Sequence, residues 1–183
     1  MIFPHLDVGR TALRCVDPLD SKGAHGFLTE HGSGGGLSHE VLSVLWAVDL
    51  GEVAAQFQVE ARDTGRVAGL SVLQRLDLNG GHVQAGVFVD PADEEVRSAA
   101  SALTVNYAFA NWSVRKVYVW TVEEDLAELR EASEIVRREA TLREFVHDGG
   151  LLRDLTIFAV YREDWARVVP NLLRRLSRAG AVR

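Results

Sequence analysis

The chain has 183 residues, of which 47% are hydrophobic, so we expect one domain of ordinary size with a sizeable core. Its net charge of −6 argues against a general affinity for nucleic acids, and no apolar run is long enough to span a bilayer. The single cysteine, Cys15, excludes an intrachain disulfide. This cysteine usage and the lack of a secretion signal lead us to expect a cytoplasmic protein.

The first half of the chain predicts a strand, two helices and an antiparallel meander. Alternating apolar residues indicate a strand over 11–16, and a weak helix over 21–31 leads into a glycine-rich loop that ends at Gly36. Ser38 is expected to cap a second helix, whose apolar stripe opens at Val41. Strands over 55–61, 67–76 and 82–89 follow, separated by turns at Asp63-Thr-Gly-Arg66 and Asp77-Leu-Asn-Gly-Gly81.

Residues 82–112 form the stretch around which the rest is organised. A strand is broken by Asp90-Pro91, and proline favours the first turn of a helix because it has no amide proton to lose. Apolar residues then recur at three- and four-residue steps from Val96 to Ala110, which predicts one face of a helix. A helix that begins directly after a strand points its free amide groups beyond the strand end, where they suit an anion such as phosphate.

The second half predicts a strand over 115–122 that pairs in parallel with 82–89 through a right-handed crossover. A charged helix over 123–139 is expected next, with an apolar stripe from Leu126 to Val136. Strands over 141–147 and 152–161, and a helix over 165–176 that Pro170 interrupts, complete the chain.

These elements describe a single domain of the α/β (α+β) class. We expect a central mixed, mostly antiparallel twisted sheet with helices on both faces. Residues 10–166 are expected to form the core, and residues 167–183 a C-terminal helix and basic tail. No metal-ligand spacing stands out, so no metal is expected.

Several short segments, each weak by itself, together carry a resemblance. They are Leu13-Arg14, Gly65-Arg-Val-Ala-Gly69, Tyr107-Ala108-Phe109, Arg115-Lys116-Val117, Leu142-Arg143-Glu144, Asp148-Gly149, Arg153-Asp154 and Arg162-Glu163-Asp164-Trp165. In this order and spacing the chain resembles the GNAT superfamily of N-acyltransferases across most of its length. The closer likeness is to the branch that acetylates the N-terminal amines of ribosomal proteins.

The resemblance implies direct acyl transfer from a thioester, acetyl-CoA or another acyl-CoA, to an amine of a small molecule or peptide. In the family, the strand before the organising helix separates from its parallel neighbour and offers a backbone amide to the thioester carbonyl. Such a donor is often worth ~3 kcal/mol. By this likeness, Gly86, Val87, Phe88 and Val89 would bind the cofactor. The family also favours a homodimer formed through C-terminal strand edges.

One segment departs from the family pattern. The family's pyrophosphate loop is rich in glycine, whereas the matching stretch here, 92–97, contains none. Its carboxylates, Asp93, Glu94 and Glu95, favour the helix start but repel a pyrophosphate, by ~1 kcal/mol per charge pair even in water. Arg97 is expected to offset this repulsion and to contact the cofactor. The altered loop also admits a donor on an acyl carrier protein or an aminoacyl-tRNA, which the basic tail would hold.

The candidates for chemistry are spread along the chain. An amine nucleophile must be neutral, so a base with a pKa near neutrality helps, and His82 is the first candidate. Gln84 stands on the same strand where members of the branch often carry a glutamate. Glu144 is a second candidate for the acceptor cleft, and Ser133 is the hydroxyl within the helix predicted over 123–139. We expect His31, His39 and Trp120 to bind the acceptor.

The first functional hypothesis is therefore an N-acyltransferase with an altered donor site. The alternative is a non-catalytic binding or assembly protein that keeps the fold and has lost acetyl-CoA binding. A third hypothesis is a self-resistance acetyltransferase, since the negative charge suits cationic acceptors such as aminoglycosides.

Overall fold

The computed structural model describes residues 2–33 and 37–179. Eight strands form one sheet in the order β1-β2-β3-β4-β5-β6-β8-β7. The strands are β1 (Asp7–Val8), β2 (Thr11–Cys15), β3 (Val53–Ala61), β4 (Arg66–Asp77), β5 (His82–Val89), β6 (Lys116–Thr121), β7 (Val136–Asp148) and β8 (Leu151–Tyr161). The α-helices are α1 (Ser21–Glu30), α2 (His39–Leu45), α3 (Glu94–Asn111) and α4 (Arg162–Ala179), and 3₁₀ segments cover Leu50–Glu52 and Ala127–Ile135.

The sheet is mixed but mostly antiparallel, as predicted. Strands β5 and β6 run parallel and are joined through α3, and every other neighbouring pair in the described sheet is antiparallel. The predicted meander of β3, β4 and β5 and the predicted parallel pairing of β5 with β6 are therefore confirmed. Strand β7 lies at one edge of the described sheet, the position from which the resemblance implies pairing in a homodimer.

Helices cover both faces of the sheet, which confirms the predicted layer arrangement. On one face, α3 and α4 pack onto the strands through residues such as Leu103, Val117 and Trp165. On the other, α1 and α2 pack through residues such as Leu42 and Trp46. None of the helices in the described ranges is long and apolar enough to cross a membrane.

The prediction of an α-helix over 123–139 is wrong. The structure has a 3₁₀ segment over Ala127–Ile135, kinked at Leu129 and Ala132, and β7 already begins at Val136. The buried residues Leu126, Leu129, Ala132 and Ile135 recur at every third position, which is the period of a 3₁₀ helix. Residues spaced by three also occur in the apolar stripe of an α-helix, so the sequence alone does not distinguish a 3₁₀ helix from an α-helix here.

The last helix is longer than predicted and is not interrupted. It begins at Arg162, and Pro170 lies inside it. Proline removes one backbone hydrogen bond from a helix. Trp165, Val169 and Leu172 are nonetheless buried on one side, and their burial offsets the lost bond.

Two features fix β4 against its neighbours. Gly69 of β4 approaches the backbone of β5 so closely that a Cβ there would lie 2.0 Å from the Phe88 carbonyl oxygen. The buried Gln74 amide donates to the Leu45 carbonyl at 2.7 Å and accepts from the Ala47 amide at 2.6 Å. The end of α2 is thereby tied to the sheet beside the separating strands described next.

Candidate functional site

Strands β5 and β6 begin as a pair and then separate. Their pairing runs from His82 opposite Lys116 to Ala85 opposite Val119 and ends there. Strand β5 continues to Val89 and β6 to Thr121, so the backbone beyond the last pair borders an open cleft. The cleft has a volume of about 140 Å³.

The cleft connects the two faces of the sheet. Because side chains alternate along a strand, Phe88 and Trp120 point to the face covered by α1 and α2, while Val87 and Val119 point to the face covered by α3. Described residues that line the cleft on the first face are Ser33, Leu37, Leu45, Gly86, Phe88, Trp120 and Val122. Those on the second are Val87, Val89, Arg97, Val119, Thr121 and Glu128.

Gly86 shapes the floor of the cleft. A Cβ at this position would lie 2.8 Å from a ring carbon of Phe88, so the ring lies over the glycine. The same ring packs against Trp46, with 5.3 Å between centroids. A larger residue at position 86 would therefore push the Phe88 ring out of its place.

Six of the residues predicted from the sequence to form the site come together here. Gly86, Val87, Phe88 and Val89, predicted to bind the cofactor, all line the cleft with Arg97 and Trp120. Their functional roles stay predictions. These residues lie close together because β5 and β6 are parallel and joined through α3. The end of β5, the start of α3 and the end of β6 therefore meet at the same edge of the sheet.

The predicted catalytic residues are not among the described residues that line the cleft. His82 lies at the other, paired end of β5, where its ring packs edge-on against Tyr118 at 5.4 Å. Ser133 is exposed on the 3₁₀ segment. Glu144 is exposed on an irregular part of β7, with a φ of +52° and its amide donating to Asp154 at 2.8 Å.

The two histidines predicted to bind the acceptor lie on the α1/α2 side. His31 stacks on Phe27 with 4.3 Å between centroids, and its Nδ1 lies 2.9 Å from the Phe27 carbonyl oxygen. His39 packs edge-on against His25 at 5.5 Å. Neither is among the described lining residues, whereas Ser33 and Leu37 nearby are.

Gln84 serves as a structural support in place of the glutamate that the resemblance would lead one to expect. It is 3% exposed, its amide donates to the Leu45 carbonyl at 3.2 Å, and its oxygen accepts from Arg75 at 2.6 Å. The Arg75 guanidinium also lies 5.2 Å from the Trp120 ring centroid and 3.2 Å from a Glu52 oxygen. These contacts hold the Trp120 side of the cleft in place.

The acidic start of α3 is neutralised by arginines from distant parts of the chain. The sequence predicts that these carboxylates repel a pyrophosphate, but each now has a positively charged partner. The pairs are Arg66 with Asp93 at 2.7 Å, Arg10 with Glu95 at 3.6 Å and Arg130 with Glu94 at 3.4 Å. The repulsion is therefore weaker than the sequence suggests, because a bound anion would also meet these three arginines.

Glu128 and Ser101 are two polar groups that the sequence analysis missed. Glu128 lines the cleft, and burial raises the pKa of its carboxyl group above the ordinary 4.5, opposed in part by the positive charge of Arg97. Ser101 is 4% exposed, and its hydroxyl has no hydrogen-bond partner in the described part of the chain. Both border a second cavity of about 10 Å³, which is also lined by Ala85 and Val119.

The arrangement of two separating parallel strands in a mixed sheet defines the GNAT fold, and comparison with solved structures agrees. A GCN5-related N-acetyltransferase from Brucella melitensis matches with a TM-score of 0.65 and 18% identity, over 94% of this chain and 86% of that chain. A probable GNAT-family acetyltransferase from Chromobacterium violaceum matches with a TM-score of 0.60 and 19% identity, over 88% and 87% of the two chains.

A third similar structure is a chimera of the spermidine N-acetyltransferase SpeG from Vibrio cholerae and hSSAT. It has a TM-score of 0.62 and 13% identity, over 86% of this chain and 99% of that chain. At such identities the likeness establishes the fold. No protein-family model matches the chain, and no curated protein matches it.

Proposed function

We propose that the protein is an N-acyltransferase that transfers an acyl group from a thioester to an amine in the cleft between β5 and β6. The separation of these two strands beyond Ala85 and Val119 is the observation that carries the proposal. It leaves the backbone of 86–89 beside the cleft, where an amide group can donate to the thioester carbonyl as negative charge develops on its oxygen. The opening to both faces lets donor and acceptor enter from opposite sides.

An acyl-CoA is the donor that we propose first. Its pyrophosphate would lie at the start of α3, where Arg10, Arg66 and Arg130 can exchange carboxylate partners for phosphate oxygens. A donor carried by an acyl carrier protein or an aminoacyl-tRNA is the alternative, because the segment 92–97 has no glycine to let the backbone approach phosphate.

The acceptor that fits best is an amine on an apolar body, as a small molecule or as the N-terminus of a peptide. On the α1/α2 face the cleft presents Leu37, Phe88 and Trp120, which favour apolar and aromatic groups. The carboxylate at this end, Glu123, is exposed and lies 3.5 Å from Arg153. Spermidine, the polyamine named for the Vibrio cholerae neighbour, carries several positive charges. Several unpaired carboxylates would be needed to hold them, and at this end of the cleft the described residues offer Glu123.

Calorimetric titration with acetyl-CoA and with free CoA tests the donor. We expect binding in the micromolar range, weakened when Arg10 and Arg66 are both replaced by glutamine. Absence of binding up to millimolar concentration would overturn CoA as the carrier. Acylated carrier protein and charged tRNA would then be offered, and failure of transfer from all of them would favour the non-catalytic binding protein.

Acetyl transfer to a panel of amines tests the acceptor. The panel contains phenethylamine, peptides with an apolar first residue, and spermidine. We expect kcat/KM to be highest for the apolar amines and to fall about tenfold in Trp120→Ala, because contact with the indole ring is lost. A preference for spermidine would contradict the acceptor class and leave the reaction class intact.

A further inference from the structure

We infer that the side chain of Glu128 donates the proton that the departing thiolate of the acyl donor requires. This role rests on the acyl transfer proposed above and assigns one of its steps to a residue of this chain. The inference starts from the position of Glu128 in the cleft.

Glu128 lies on the α3 face of the cleft. It borders both the cleft and the small cavity next to Ala85 and Val119, the last paired positions of β5 and β6. If the carbonyl oxygen of the thioester faces the backbone of 86–89 and the amine attacks from the α1/α2 face, the sulfur departs toward the α3 face. That is the side on which Glu128 lies.

The other protic groups of the cleft are engaged elsewhere or are weaker acids than a carboxyl group. Ser33 lies on the α1/α2 face and donates to the His31 carbonyl at 3.2 Å. The Thr121 hydroxyl accepts from the Glu123 amide at 3.0 Å and keeps its own proton, but an alcohol is a far weaker acid than a carboxyl group. Glu123 is exposed beside Arg153. Arg97 is too weak an acid to give up a proton. Among the described lining residues, Glu128 is the group that remains.

The charges around Glu128 suit a carboxyl group that keeps its proton. Burial raises its pKa, and the negative charges of Asp125 and Glu123 add to that effect. Its own backbone amide and Arg97 on α3 act in the opposite direction without reversing it. The unpartnered Ser101 hydroxyl beside it can accept a hydrogen bond from the protonated carboxyl group and fix its orientation.

The proposed step balances. A bond forms between the amine nitrogen and the carbonyl carbon, and the bond from that carbon to sulfur breaks. The sulfur takes the electron pair of that bond and the proton of Glu128, which yields a free thiol. The nitrogen loses its surplus proton to water, from which the Glu128 carboxylate is protonated again, so that an amide and a thiol leave an unchanged protein.

Replacement of Glu128 by glutamine tests the step. With acetyl-CoA and phenethylamine, we expect Glu128→Gln to lower kcat by about a hundredfold while the dissociation constant of CoA changes by less than about twofold. The unaltered protein should lose activity at high pH as Glu128 loses its proton, and this decline should be absent from the residual activity of the variant. Glu134→Gln, an exposed position on the same 3₁₀ segment, is the matched control and should behave as the unaltered protein.

Glu128→Asp keeps the acidic group and should recover part of the rate, which separates proton donation from packing. Circular dichroism and melting temperature show whether each variant is folded, and the aspartate variant provides the decisive comparison if the glutamine variant is not. Equal kcat and pH profile in Glu128→Gln and the unaltered protein would overturn this inference and leave the acyltransferase proposal standing. Absence of transfer from acetyl-CoA, acylated carrier protein and charged tRNA alike in the unaltered protein would overturn the two together.

Discussion

The two ends of the β5–β6 pair are built in opposite ways. At the paired end, Lys116 is 9% exposed and donates to both Glu139 oxygens, at 2.8 and 3.1 Å, while the Tyr161 hydroxyl donates to the same carboxylate. At the open end, the buried hydroxyl of Ser101 has no partner among the described residues, and the half-buried Glu128 has a raised pKa because its carboxyl group is shielded from water. Along the length of these two strands, the polar groups that pack beside them change from satisfied to unsatisfied.

This difference separates stability from function. Buried polar groups are normally hydrogen-bonded, and groups without partners cost free energy that packing elsewhere must offset. Such groups are concentrated in ligand-binding and active sites. The paired end therefore holds the sheet together, and the open end keeps the groups that a substrate would satisfy. Substitutions of the polar groups at the two ends should change the free energy of unfolding with opposite signs.

The largest effect is expected where the open end is held in register. Gly69→Ala places a Cβ 2.0 Å from the Phe88 carbonyl oxygen, so β4 or β5 must shift, at a cost of about 3 kcal/mol of unfolding free energy. Urea denaturation measures this loss. Gly26→Ala is the control, because a Cβ on α1 at that position meets nothing within 4 Å and the helix should gain up to about 1 kcal/mol. Equal effects of the two substitutions would contradict the close approach.

The next effect is expected at the paired end. Lys116→Met leaves the Glu139 carboxylate without its charged partner and should cost about 2 kcal/mol. Burial raises the pKa of Glu139, but its hydrogen bonds from Lys116 and Tyr161 outweigh this and hold the pKa below 4.5. A carboxylate with a lowered pKa stabilises the fold above its ordinary pKa and loses that contribution as the pH falls. Denaturation curves of the two proteins should therefore converge below pH 4.5.

Adding Glu139→Gln to Lys116→Met provides the control for this ion pair. The double variant should recover part of the lost stability at neutral pH, because no unpaired charge remains. If Lys116→Met costs nothing at any pH, the paired end does not owe its stability to this cluster.

Glu128→Gln should act in the opposite direction. Because the pKa of Glu128 is raised, the folded protein binds this proton more tightly than the unfolded chain, and its negative charge costs stability above pH 4.5. The variant should gain about 1 kcal/mol near pH ~8 and lose this advantage as the pH falls through the raised pKa toward 4.5. Melting curves at both pH values measure it. A loss of stability at high pH would show that Arg97 holds Glu128 as a structural ion pair.

The sequence predicts the paired end and the course of the strands well because their signals are local. The Asn79-Gly80 turn, the apolar and strand-forming residues of 82–89 and the apolar steps of α3 each lie within one short segment. Strand alternation and helix periodicity reflect which side chains are buried, so they also fix which residues meet at the end of β5. That Gly86–Val89 and Trp120 belong to one site is instead what the resemblance to the GNAT superfamily implies.

The groups that set the chemistry of the open end come from parts of the chain with no local signal. Glu128 lies on a segment whose three-residue period resembles that of an α-helix, so the sequence predicts the wrong kind of helix around it. The arginines that neutralise the start of α3, Arg10, Arg66 and Arg130, lie far apart in the sequence. The residues that neighbour a helical serine such as Ser101 in the sequence do not indicate whether its hydroxyl is hydrogen-bonded in the folded protein.

The smallest effect is expected for two buried serines, one with a hydrogen-bond partner and one without a partner among the described residues. The Ser71 hydroxyl lies 2.6 Å from the Thr104 hydroxyl, so Ser71→Ala removes a hydrogen bond and should cost about 1 kcal/mol. Ser101→Ala removes an unpartnered hydroxyl from inside a helix and should gain about 0.5 kcal/mol, since alanine favours the helix. Urea denaturation measures the free energy of unfolding of both variants. Because the change from serine to alanine is the same in each, the difference between them reports on the hydrogen-bond partner. A loss in Ser101→Ala as large as that in Ser71→Ala would mean that the hydroxyl at the open end already has a hydrogen-bond partner in solution.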